Sequence, residues 1–238
     1  MVRAAAVLVV LVVLALYYAF SESLPALPEW GDVAFLALAL MPLALSLIGL
    51  ALPLRRSASR ELTVAAAAFV LVALVLEALD LDIAANFVKI AAVASVAWWF
   101  LGFFEALSWV LLVAVLIIPV DSFSVARGPT KEIVENQPQV FDALSIAFPL
   151  PGQHSSAQLG LPDFLFFSLF LGAADRFGLR VGRTWLTMAL SFGTTLTLAV
   201  AFNVAGLPAL PLLSAAFILT NADLIWHAYR GRSATPSK

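Results

Sequence analysis

Cysteine is absent from this chain of 238 residues, and its only two histidines, His154 and His227, stand far apart. The first absence excludes disulfides and thiolate-bound metals, while leaving the redox compartment open. The scarcity of histidine argues against an imidazole-built metal site. Charge is thin as well: Asp, Glu, Lys and Arg make up 12% of the residues, and the net charge is −2. The scattered basic residues form no stripe that would track a phosphate backbone, so no nucleic-acid partner is expected. No polar stretch is long enough to make a separate soluble domain. What fills the chain is apolar: 63% of residues are hydrophobic and the mean hydropathy is +1.02. Ordinary soluble domains are about 45–50% apolar. The composition therefore predicts an all-α, polytopic transmembrane helix bundle whose constant partner is the lipid bilayer.

A helix needs about 20 apolar residues to cross a hydrocarbon core of about 30 Å. Eight segments qualify: Val2–Phe20, Val33–Leu54, Leu62–Leu79, Ile83–Phe103, Ala106–Val125, Pro162–Phe177, Thr184–Val204 and Leu207–His227. The stretch from Ile83 to Val125 is too long for one crossing, and the break is placed near Gly102 and Glu105. The first run could be read as a signal peptide. It exceeds the usual apolar core of about 7–15 residues and no clear A-x-A site follows, so a retained span is expected.

Basic residues set the orientation. Arg3, then Arg55, Arg56 and Arg60, then Arg176, Arg180 and Arg183, then Arg230, Arg232 and Lys238 fall at alternate loops, ten of the thirteen Lys and Arg. The opposite loops carry Glu22, Glu29, Asp32, Asp80 and Asp82 and nothing basic. The positive-inside rule then puts both termini in the cytoplasm of a multi-pass protein of the cell membrane, and an even span count satisfies this. The one long connection, Ala126–Gln158, falls on the outer side. It mixes apolar with polar residues, and connections of that length are usually functional or disordered.

Two aspartates lie in or against membrane-length segments: Asp121, near the outer end of the fifth span, and Asp163, at the start of the sixth. A carboxylate in hydrocarbon is costly enough to mark a functional group. Adjacent antiparallel helices would bring the two to similar depth. Paired carboxylates cannot both ionise cheaply, so they share a proton. The ionised member can activate water while the protonated one polarises a carbonyl. The plain alternative is that both mark span ends, with Asp163 favoured at a helix start.

Other residues carry weaker expectations. Lys89, inside the fourth span, must snorkel or pair. Glu77 and Glu105 read as interfacial. Asp175 is expected to pair with Arg176 in solvent. Asn221, Asp223 and His227 share a helical sector suited to a cap or subunit contact. Trp98, Trp99 and Trp109 fit interface belts or lipid packing.

Three segments occur in order on late spans: PVDSFSVARGPTKEIVE, GLPDFLFFSLFLG and GLPALPLL. They resemble the three signatures of the presenilin and signal peptide peptidase family of intramembrane aspartyl proteases: Tyr-Asp, Gly-x-Gly-Asp and Pro-Ala-Leu. On this resemblance Asp121 and Asp163 are the catalytic pair. Gly160, Leu161 and Pro162, with Pro208, Ala209 and Leu210, would line the substrate channel. The Gly128-Pro129-Thr130-Lys131 segment looks like the family's loop. The likeness covers about Trp109 to Asp223, roughly half the chain.

The resemblance implies residues 1–104 as N-terminal membrane helices and 105–238 as the catalytic helices of a single membrane domain. It also implies transmembrane-helix substrates and neither metal nor organic cofactor. An Ala-, Val- and Leu-rich chain without cysteine suits a prokaryotic member, and the cytoplasmic C-terminus resembles signal peptide peptidase more than presenilin. The sequence departs from the pattern in three ways. Val120 replaces the tyrosine, Pro162 replaces the second glycine, and eight spans replace the family's nine. Two other readings use the same residues. One is a proton-coupled carrier with Asp121, Asp163 and Lys89 as its ion path. The other is an inactive member that binds membrane helices, suggested by Pro162. The sequence does not indicate an oligomeric state.

Overall fold

A computed structural model describes residues 2–127, 138–204 and 207–233. The elements, in chain order, are α1 (Val2–Phe20), α2 (Glu29–Phe35), α3 (Met41–Ala51), α4 (Ser59–Ala78), α5 (Asp82–Leu101), α6 (Leu107–Arg127), α7 (Pro138–Ala143), β1 (Ser145–Pro149), β2 (Ser156–Gly160), α8 (Leu161–Arg176), α9 (Val181–Ala201), α10 (Leu210–Thr220) and α11 (Ala222–Ser233). The break expected near Gly102 separates α5 from α6. Among the described residues, six helical segments are long and apolar enough to cross a membrane, and α10 with α11 make a seventh if that pair, bent by 62°, is one span.

Local chemistry accounts for the irregular points. α2 runs into α3 through one π turn, Leu36–Leu40, in which the Met41 amide donates to the Leu36 carbonyl. Pro42 follows directly. It has no N–H to give the carbonyl four residues back, and a widened turn absorbs that loss. α6 carries Pro119 in its interior. That residue likewise withholds a donor from the preceding turn, two residues before Asp121.

α8 stands at the centre. From Phe164 to Ala174 most of its side chains are fully buried, the signature of a helix apolar all round and enclosed on every side. α5, α9 and α10 pack on it. Phe164 stacks on Phe148 of β1, and Phe170 on Phe217 of α10, with centroids 6.3 and 4.9 Å apart. Gly172 lets α5 come close: a Cβ there would sit 2.9 Å from the Trp98 ring. Buried residues from both halves of the chain form a single core cluster.

The long connection, expected as a loop, carries regular structure in its described part. Within 126–158, α6 continues to Arg127, α7 covers Pro138–Ala143, and β1 pairs antiparallel with β2, Ser145 opposite Gly160. The run SIAFP alternates its exposure and packs Ile146 and Phe148 inward, which an extended strand achieves and a helix would not. The hairpin turn is pinned to the α1–α2 connection: the Gly152 amide donates to the Ser21 carbonyl at 2.8 Å. Gly152 has φ +67°, and a Cβ there would lie 2.4 Å from the Ala26 nitrogen, so only glycine fits.

Packing decides three other expectations. Asp175 pairs with Arg55 and Arg56, while Arg176 donates to the Leu101 carbonyl at 2.5 Å. Trp98 is 3% exposed and donates its indole N–H to the Ser168 carbonyl, so it is a core residue and not part of an interface belt. Asn221 is fully buried at the α10–α11 bend. Its amide donates to Thr184 Oγ1 and the Phe217 carbonyl, and its carbonyl oxygen accepts from the Arg180 amide. Asp223 pairs with Arg180 and does not act with Asn221 as one cap.

Candidate active site

Both aspartates sit where a helix N-terminus offers unpaired amides. The first four N–H groups of a helix have no partner inside it. In α8, Gly160 is the N-cap and Asp163 the third helical residue. Its Oδ2 lies beside Gly160, 3.5 Å from where a Cβ on that residue would stand. In α10, the Leu210 amide donates to Asp121 Oδ2 at 3.1 Å. Asp121 thus caps a helix far along the chain from its own, and the Ala209–Leu210 step is held against it. Ala209 and Leu210 are buried, Pro208 less so.

The pair comes together because α6 and α10 pack along each other and both touch α8. Asp121 stands on α6, which touches the helix that Asp163 opens. Both residues are half-buried. The arrangement offers two carboxyl groups on touching helices, that of Asp121 oriented by the Leu210 N–H. The apolar side chains of α8 and α10 lie beneath them.

Pro162 occupies the second position of α8. There its missing N–H is one that no helix uses, and its fixed φ suits the turn. Gly160 has φ −63° and ψ 146°, extended backbone that any residue adopts. A Cβ on it would meet Pro162 and Asp163 only at ordinary contact distances of 3.4 and 3.5 Å. Neither position therefore demands glycine in this structure. Val120 is exposed. The Gly128–Lys131 segment lies outside the described residues.

A second set of residues holds the hairpin, of which the sequence reading named only Lys89, expected to snorkel or pair. β1 leads toward the site through β2, and side chains from two helices grip its free edge. Tyr17 and Tyr18 of α1 donate to the carbonyls of Pro149 and Ala147, each at 2.7 Å. Asn86 of α5 accepts from the Ala147 amide at 3.3 Å. Lys89 donates to the carbonyls of Asp142 and Ser145 and pairs with Glu77 of α4. The bonds joining Leu144 with Leu161 and Leu150 with Ser155 fix which backbone groups face β2. By strand alternation those of Ser145, Ala147 and Pro149 face away from it. These are the groups the clamp takes up. The same alternation leaves the outward groups of Ser156 and Gln158 along the edge of β2, which ends at Gly160, three residues before Asp163. The sequence did hold a signal: Asn86 and Lys89 are three apart, so they share a helix face.

Compared with known proteins, the chain matches no protein-family model and no curated protein. Among the described residues no group of three or more His, Asp or Glu side chains is placed to hold a metal ion.

Proposed function

We propose that this protein is an intramembrane aspartyl protease that hydrolyses peptide bonds within transmembrane helices. One observation carries the reading. Asp121 and Asp163, on helices separated by a hairpin in the chain, are brought together by the contact of those helices, and the backbone of Leu210 holds Asp121 in place. Residues from all three family-like segments, Asp121, Asp163 and Leu210, lie on helices that touch there. The ionised carboxylate takes a proton from water as the water attacks the scissile carbonyl. The other carboxyl donates a hydrogen bond to the carbonyl oxygen as it gains charge, and a proton then passes to the leaving amine. The products are a new carboxyl and a new amino terminus.

A helical peptide bond is shielded by its own backbone bonding, so the substrate must unwind locally. The β2 edge is the natural partner for the unwound segment, because an extended chain can add to an open strand edge. The β1 edge is closed to it by Tyr17, Tyr18, Asn86 and Lys89. In the carrier reading Lys89 would face the aspartates. Its ammonium is instead held by Glu77 and two hairpin carbonyls, which favours the protease.

In the membrane, α8 would be an eighth crossing although it has only 16 residues, about 24 Å of helix. Eight crossings put both termini in the cytoplasm and the hairpin outside. A cysteine at Ser57 of this cysteine-free chain should then resist an impermeant thiol reagent added outside intact cells. Labelling from outside would reverse the orientation. The activity is tested by incubating the purified chain with a transmembrane peptide carrying helix-weakening residues, with and without a hydroxyl-isostere inhibitor of aspartic proteases. Inhibitor-sensitive cleavage inside the apolar segment supports the proposal, and intact peptide after prolonged incubation counts against it.

A further inference from the structure

The end of the bundle opposite the aspartates holds a second polar feature. A cavity of about 200 Å³ opens between the turn after α3, the start of α4, the end of α5 and the end of α8. Arg55 and Arg176 line it together with Ser57, Ser59 and Trp99. Arg55 spends Nε and Nη2 on Asp175 and keeps Nη1. Arg176 spends Nη1 on the Leu101 carbonyl and keeps the rest of its fork. The hydroxyls of Ser57 and Ser59 have no hydrogen-bond partner among the described residues. Four arginines, Arg55, Arg56, Arg60 and Arg176, stand at this end against the carboxylates of Asp175 and Glu61, so the local charge is positive. The first turn of α4 adds unpaired amides and the positive end of its dipole.

Donors without acceptors, excess positive charge and a concave site together call for an anion. The surroundings say which kind. The cavity lies where the apolar spans end, with Trp99 at its side, as at a membrane interface. Beyond it α4 turns an apolar face outward, with Val64 62% and Leu71 64% exposed. We infer that this cavity binds the phosphodiester of an anionic glycerophospholipid, with the acyl chains lying along α4. Basic pockets between membrane helices recognise such headgroups through guanidinium–phosphate bonds. A zwitterionic lipid would bring its own cation against Arg55 and Arg176 and bind more weakly. This inference stands apart from the proteolytic reading, since it uses none of the same residues.

The test uses the full chain in neutral detergent, with lipid adducts counted by native mass spectrometry during titration. Dioleoyl-phosphatidylglycerol should bind at least tenfold more tightly than dioleoyl-phosphatidylcholine. Ser59→Glu should cut phosphatidylglycerol binding tenfold or more without lowering the melting temperature, because an acidic residue in a first helical turn is favourable. Arg176→Gln should weaken binding several-fold. Ser23→Glu, at the opposite end, should leave it unchanged. Equal affinity for the two lipids would overturn the inference, as would binding indifferent to Ser59→Glu. If inorganic phosphate displaced phosphatidylglycerol at equal concentration, the cavity would be a soluble-anion site and the lipid assignment would be wrong.

Discussion

Replacing Lys89 by Met tests how the hairpin is held. The side chain of Lys89 is 6% exposed and that of Glu77, its partner, 30%. Breaking a buried ion pair by removing one member costs about 3–5 kcal/mol, because the other charge is stranded. Glu77 keeps some access to water, which draws the figure toward the lower end. The carbonyls of Asp142 and Ser145 also lose a charged donor, and a buried acceptor left unpaired costs about 1–3 kcal/mol. These losses overlap, so the expected destabilisation is about 3 kcal/mol. On the scaling for chains of this length that is a fall in melting temperature of about 6–12 °C.

The double variant Lys89→Met with Glu77→Gln removes the stranded carboxylate and should recover part of the loss. What remains reports on the two carbonyls. Thermal unfolding in detergent gives both numbers, and limited proteolysis at the hairpin shows whether β1 has come loose. A single-variant loss below about 1 kcal/mol would refute the reasoning, since it would mean that Lys89 is not structurally engaged.

Other outcomes follow from the same geometry. Pro162→Gly should lower stability by a fraction of a kcal/mol to about 1 kcal/mol, through the greater freedom of the unfolded chain. Cleavage should be retained, because position 162 offers no N–H that α8 needs. A several-fold gain in cleavage rate would show instead that proline restrains the site. Gly152→Ala should cost more than 1 kcal/mol, from the left-handed φ and the clash with Ala26. It should also speed proteolytic nicking between β1 and β2, and an unchanged nicking rate would show that the turn is not pinned at Ser21.

Much of the bundle was legible because bilayer crossing leaves a strong one-dimensional trace. Span boundaries such as Val2–Phe20 coincide with α1, and the break at Gly102 was visible because no helix of 43 residues fits a membrane. The aspartates stood out because charge is so rare among their neighbours. The hairpin was not legible. SIAFP and SAQLG are short, mixed in character and flanked by Pro and Gly, so they read as loop until tertiary partners pair their backbones. The partners of Asp175, Trp98 and Asn221 were hidden for a related reason. Each is decided by a residue from a distant helix, and adjacency in sequence, as between Asp175 and Arg176, pointed to the wrong neighbour. Pro162 appeared to threaten the site as long as the family pattern was the reference. Its place in the first turn of α8 makes it an ordinary helix-start proline.

The central claim is that Asp121 and Asp163 work as one catalytic unit. The direct measurement is cleavage of a transmembrane peptide by Asp121→Asn and Asp163→Asn, each purified beside the parent chain and checked for the same melting behaviour. Both variants should stay folded and neither should cleave, since one carboxyl cannot activate water and polarise the carbonyl alone. Near-parental cleavage by either folded variant would contradict the claim.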